Sequence, residues 1–205
     1  MSIRQLRREI KGEFFDYQVL TNFLSDLKQP RNKIGRLMKN GEIVRIKKGL
    51  YVFGEAWRNS PISLETAANL IYGPSCISFE YALYRYGLIA ERAPLITSLA
   101  IGRCKEFETP IGTFHYRAIQ KHKFGVGIEY RDLGEEGGYF IATREKALAD
   151  LVSTIKRSLS TEELRFFLLD EMRIDENFLV SFNRQLMESI ATAYHNHNIF
   201  KILQL

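Results

Sequence analysis

The chain has 205 residues, 29 Lys and Arg against 24 Asp and Glu, a formal net charge of +5 and two cysteines. A hydrophobic share of 45% with 12% aromatics excludes a disordered chain, and the isolated Cys76 and Cys104 exclude a disulfide framework or a thiolate metal site. No stretch reaches the roughly 18 uninterrupted apolar residues of a membrane span, and the basic opening MSIRQLRREIKGEF lacks the apolar core of a secretion signal, so the expected location is cytoplasmic.

The charge is local. Residues 1–59 hold 13 basic and 6 acidic residues, net +7, and residues 60–205 hold 16 and 18, net −2. A field confined to one end fits phosphate binding there. In chain order, Phe15 to Leu24 reads as an apolar helix and Ser25 to Gln29 as a turn. Between Lys28 and Lys48 stand eight Lys or Arg and one acid, Glu42. A helix starts at Pro30, suited to a first helical position, and stops at Asn40-Gly41, where glycine allows a left-handed closing residue. Its stripe Ile34, Leu37 and Met38 packs, and the opposite stripe presents Asn32, Arg36 and Lys39. Ile43 to Lys47, a Lys48-Gly49 turn and Leu50 to Phe53 then read as a hairpin with cations at its tip.

A solvated helix face also collects Lys and Arg. Two helices in helix-turn-helix order followed by a basic hairpin instead predict a winged helix that binds double-stranded DNA. In this reading Asn32 and Arg36 address base edges, Arg31, Lys33 and Lys39 anchor phosphates, and Arg45, Lys47 and Lys48 of the wing reach the backbone or the minor groove.

Gly54 to Pro61 reads as a linker, placing a winged-helix domain over 1–59 and a second domain over 60–205. Beyond it Ser63 caps a helix to about Tyr72, Cys76 to Ser78 is strand-like, and Phe79 to Tyr86 is a helix ended by Gly87. Strands are expected at Leu95–Gly102, Lys105–Thr109, Thr113–Ala118, Gly127–Arg131 and Tyr139–Ala142, with the acidic GEEGG as an exposed loop. From Thr143 the pattern turns helical: to about Lys156, Thr161 to Met172, a long helix from Glu176 to Tyr194, and a short closing one. Strands followed by helices predict an α+β domain with a helical C-terminal end. On the Phe79 helix, Phe79, Ala82, Leu83 and Tyr86 form a core stripe, leaving Tyr81, Tyr84 and Arg85 as a candidate partner surface.

Signals for catalysis are weak. Thr143, Arg144, Glu145, Lys146 and Asp150 with Glu106 and Glu108 vaguely match a metal-dependent nuclease. The helix from Thr143 places Ala147, Leu148, Leu151, Val152 and Ile155 on its buried stripe, so Glu145 and Lys146 are expected as ordinary helix-surface charges, with Lys146 and Asp150 as a pair one turn apart. His195 and His197 are spaced for different helix faces, which disfavours shared metal ligation and leaves them as polar helix ends. The glycines of KFGVGIEY and GEEGGYF match no phosphate-binding motif. No cofactor, metal site or enzyme activity is expected.

Four blocks, PRNKIGRLMKNGEIVRIKKGLYVFGE, NLIYGPSCISFEYALYRYGLIAER, FETPIGTFHYRAI and FIATREKALADLV, in this order and spacing, resemble the AbiEi family of abortive-infection antitoxins. The resemblance covers most of residues 30–152 and nothing beyond. It implies a transcriptional autorepressor whose winged helix binds inverted repeats in its own promoter. It also implies a C-terminal domain that neutralises a cognate nucleotidyltransferase toxin without requiring a stable complex. The alternatives are a stand-alone regulator, a protein- or RNA-interaction module, and a metal-dependent nuclease.

Overall fold

The computed structural model describes residues 2–90 and 95–205. Glu91 and Arg92, at the end of the second motif block, lie outside them. Residues 2–53 contain α1 (Ile3–Glu9), β1 (Phe14–Asp16), α2 (Tyr17–Phe23), α3 (Pro30–Lys39), β2 (Ile43–Lys47) and β3 (Leu50–Phe53). Ser2 and Gln5 form a capping box on α1. Pro30 opens α3, and Gly41, at φ +69°, turns the chain out of it.

The apolar helix expected from Phe15 begins two residues later. Phe14–Asp16 is a strand, with Phe15 opposite Tyr51 in the register and its ring against Tyr51 and Phe53. The Asp16 carboxylate accepts from the Val19 N–H at 2.8 Å, so the helix starts at Tyr17. Cross-strand aromatic packing prevails over the local helical pattern.

The three strands form an antiparallel sheet in the order β1-β3-β2. All four residues of the central β3 are buried because both faces of this small sheet are covered. Tyr51 and Phe53 join Leu20, Ile34 and Leu37 beneath the helices, and Leu50 and Val52 join Ala67, Ala68 and Ile71 on the other side.

Those last residues belong to α4 (Leu64–Ile71), capped by Ser63. After it come β4 (Ser75–Ile77), α5 (Phe79–Arg85), β5 (Ile96–Ile101), β6 (Lys105–Thr109), β7 (Gly112–Ile119), the short α6 (Lys121–Phe124), β8 (Ile128–Asp132) and β9 (Gly138–Ala142). The six strands form one sheet in the order β6-β7-β5-β4-β9-β8. The β5–β7 and β4–β9 pairs are parallel and the rest antiparallel. One face packs on α4, where the Tyr116 hydroxyl donates to the Ala68 carbonyl at 2.6 Å. On another cluster Cys76 and Leu99 meet Phe79, Ile119, Phe124 and Ile128.

The chain ends in helices: α7 (Arg144–Val152), α8 (Thr161–Phe166) continuing into a wider π turn at Phe167–Glu171, α9 (Glu176–Ser181), α10 (Arg184–Tyr194) and α11 (His197–Ile202). The fold is α+β with a helical C-terminal end. The single helix expected over Glu176–Tyr194 is broken, because the Asn183 N–H donates to the buried Glu145 carboxylate at 2.9 Å and the Asn183 side chain caps α10 by accepting from Leu186.

Contacts also cross residue 59. Buried Glu13 accepts from the backbone N–H groups of Asn59 and Ser60 and pairs with Arg7 at 3.3 Å. The GEEGG segment meets the first unit: Lys11 pairs with Glu135 at 2.9 Å, and the Ser60 hydroxyl donates to Glu136 at 2.6 Å.

Candidate nucleic-acid interface and a buried polar network

Ile34 and Leu37 are buried against the small sheet, so the opposite face of α3 meets solvent. Arg31, Asn32, Arg36 and Lys39 are exposed there and Lys33 is half-buried. Among the described residues none of Lys33, Arg36, Lys39, Arg45 or Lys48 is paired with a carboxylate. Arg31 donates to the Tyr17 hydroxyl at 3.4 Å, and the Asn32 amide bonds to Gln29 one turn earlier. Because the second unit covers the far side of the small sheet, α3 faces away from it.

At the wing the structure separates residues that sequence alternation grouped. Arg45 and Lys48 are exposed. Lys47 is not on their face. The β2–β3 register shifts between Arg45, opposite Tyr51, and Lys47, opposite Leu50, so the bulge at Ile46 turns Lys47 toward the second unit. There its ammonium donates to the Ile71 carbonyl, and partial burial lowers its pKa from the ordinary lysine value. Lys47 is therefore a junction residue, turned away from the face that Arg45 and Lys48 share, where sequence alternation had placed it with Arg45.

The expected partner surface on α5 is also engaged internally. The Tyr81 hydroxyl donates to Glu65 at 3.1 Å, and Arg85 pairs with the same carboxylate at 3.1 Å. Desolvation, with the adjacent Glu65 carboxylate, raises the Tyr81 pKa. Tyr81 and Tyr84 are half-buried against the main core. Arg85 retains an exposed side chain, while Tyr81 and Tyr84 are each partly buried.

The largest difference from the sequence reading lies in α7. Glu145 through Val152 are all buried, so Glu145, Lys146 and Asp150 are not surface charges. Neighbouring helices cover the face that helical spacing assigned to solvent. The Lys146 and Asp150 side chains are each 0% exposed, with Nζ 3.5 Å from Oδ1. Lys146 also donates to the Tyr194 hydroxyl at 2.7 Å and to the Lys123 carbonyl at 3.1 Å. Tyr194 and Ser78 donate to the two Asp150 oxygens. Burial pushes the Asp150 carboxyl above its ordinary range, against the opposing pull of Lys146, Ser78 and Tyr194. Burial and the Asp150 charge raise the Tyr194 pKa. A signal was present in sequence: Ala147 and Ala149 flank these charges on other faces of the helix, and small residues all round mark close packing on every side. Lys146 and Asp150, the charged side chains of the network, each have partners within it.

His195 closes α10 and His197 opens α11, both exposed, at the helix ends where they were expected. Among the described residues, no group of three or more His, Cys, Asp or Glu is placed to hold a metal ion, and no helix is long and apolar enough to cross a membrane.

This architecture defines an α+β protein with a basic helix-and-hairpin unit joined to a mixed sheet and a helical end. No protein-family model and no curated protein matches the chain. Among solved structures, the crystal structure of RV2827C protein from Mycobacterium tuberculosis is similar, with a TM-score of 0.60 at 13% sequence identity, covering 98% of this chain and 74% of that one. At that identity the likeness concerns the fold.

Proposed function

We propose that residues 2–53 are a DNA-binding winged helix and that the protein is a cytoplasmic transcriptional autorepressor and antitoxin. The observation that carries the DNA-binding reading is the exposed cationic face formed by Arg31, Arg36 and Lys39 of α3 with Arg45 and Lys48 of the wing, unopposed by carboxylates and directed away from the second unit. α3 enters a major groove, where Asn32 and Arg36 address base edges, while Arg31, Lys33, Lys39, Arg45 and Lys48 neutralise phosphates. The antitoxin half rests on the four motif blocks, and its target is a nucleotidyltransferase toxin encoded beside it.

Because Leu50 and Val52 pack on α4, the test uses the full chain. In gel shifts on its own promoter, Arg36→Ala should weaken specific binding by about 1–3 kcal/mol and relax discrimination at one base position. Lys48→Ala should weaken all sequences alike and reduce the log–log salt slope by about 0.9. Identical behaviour of the two variants refutes the assignment. For the antitoxin half, a protein with Arg36 and Lys39 reversed in charge, expressed from an unrelated promoter, should still protect cells producing the adjacent toxin. Loss of protection places neutralisation in the DNA-reading face instead.

A further inference from the structure

A second basic stretch lies in the net-acidic part of the chain. From Thr109 to Ile128 the sequence TPIGTFHYRAIQKHKFGVGI contains Arg117, Lys121 and Lys123 and no acid. Arg117 and Lys123 border a pocket of about 380 Å³ between β5, β7, α6 and α10, with Phe79, Asp150 and Tyr194 in its wall. Neither cation is paired with a carboxylate among the described residues. Instead the Arg117 guanidinium lies 4.5 Å from the Phe79 ring centroid and the Lys123 ammonium 5.7 Å from that of Tyr194. Cations resting on ring faces remain able to meet an anion.

The wall is built rather than incidental. Asp150 is fully buried, with both oxygens bonded and Lys146 beside it, so it does not confront an incoming anion with an unneutralised charge. Phe79 holds a left-handed backbone at φ +59° immediately after Ser78, which bonds Asp150. Such a conformation in a bulky residue persists only where the surroundings enforce it, and such residues cluster at ligand sites. Polar amides complete the rim: Gln120 caps nothing with its side chain, and Asn196, whose oxygen accepts from Asn198 and Ile199, retains its NH2.

We propose that this pocket binds a nucleotide unit, a nucleobase together with its phosphate. The base stacks on the outer face of the Arg117 guanidinium, which Phe79 backs from behind. Lys123 takes the phosphate, and the Gln120 and Asn196 amides meet the base edge. The volume falls at the lower end of small-molecule sites, about 300–1,000 Å³, and matches one nucleotide rather than a larger cofactor. The unit comes either from a free mononucleotide or from a single-stranded RNA. The site is separate from the α3 face and does not depend on promoter recognition.

The test is calorimetric titration of the full chain with AMP, UMP, adenosine, inorganic phosphate and a 5′-phosphorylated RNA trinucleotide. The nucleoside monophosphates should bind, with adenosine and phosphate alone at least about tenfold weaker. Arg117→Ala and Lys123→Ala should each lower affinity about tenfold or more, the scale of losing one stacking partner or one phosphate cation. A trinucleotide that binds more tightly than AMP identifies a strand as the source; equal or weaker binding identifies the free nucleotide. Arg117 is exposed and Lys123 only half-buried, so unchanged thermal melting should confirm that both variants fold. Arg8→Ala, exposed on α1, should bind nucleotides as the parent does. The proposal is overturned if no nucleotide binds at millimolar concentration. It is also overturned if phosphate alone binds as tightly as AMP, or if the Arg117 and Lys123 variants bind unchanged.

Discussion

Replacing Lys146 with Met distinguishes an interior ion pair from a surface one. An exposed pair one helical turn apart contributes about 0.3–0.5 kcal/mol, which is what the α7 sequence predicts. In the structure both side chains are fully buried, and removing the ammonium leaves the Asp150 charge inside the protein with only two hydroxyl donors. Breaking such a pair costs about 3–5 kcal/mol. With a urea m-value of about 2–3 kcal/mol/M, the unfolding midpoint should fall by about 1–2.5 M, and melting should drop by about 6–20 °C for a chain of this size. The double variant Lys146→Met/Asp150→Asn removes both charges and keeps one acceptor oxygen for Ser78 or Tyr194, with the amide NH2 facing the other hydroxyl, which can turn to accept from it. It should recover at least half of the loss, because the penalty belongs to the orphaned charge and not to the absent attraction. The assay is equilibrium urea unfolding of the four proteins of the cycle. Single substitutions that each cost under about 1 kcal/mol and add independently would refute the buried network.

Asp150 also gives a pH signature. Its native pKa is raised, so the folded state holds the proton more tightly than the unfolded state. Its contribution is present below the ordinary Asp value of about 3.9 and is lost as pH rises through the native value. Urea midpoints measured across pH should show the parent losing stability relative to Asp150→Asn as pH rises from about 4; a slope of opposite sign contradicts the raised pKa. Gly54→Ala should destabilise severely, since a Cβ would lie 1.8 Å from the Gly41 carbonyl oxygen and neither backbone segment has room to yield; soluble yield and thermal melting report it. Asp16→Ala should cost about 1 kcal/mol by removing the cap on α2, measured by urea unfolding. Lys47→Met should leave DNA affinity and its salt slope unchanged in gel shifts while Arg45→Ala weakens binding, because only Arg45 faces outward.

The elements whose signals are local are legible in the residues alone. Pro30 and Gly41 bound α3 because fixed φ and positive φ act at single residues. The stripe of Ile34 and Leu37 follows from helical periodicity, and the hairpin strands from alternation around Lys48-Gly49. The α+β class follows from the order of those patterns. Features that depend on which surface an element meets arise only from contacts distant in sequence. Phe15 became a strand residue because Tyr51 and Phe53 offered it cross-strand packing. Lys47 left the wing because one extra residue in β2 changes the side on which every later side chain emerges. The helix expected through Phe182 broke because Glu145, distant in sequence, captured the Asn183 N–H. Lys146 and Asp150 became interior charges because α5, α10 and α11 close over α7. Periodicity records which residues share a face of a helix; whether that face meets water or another helix is fixed only when the chain has folded around it.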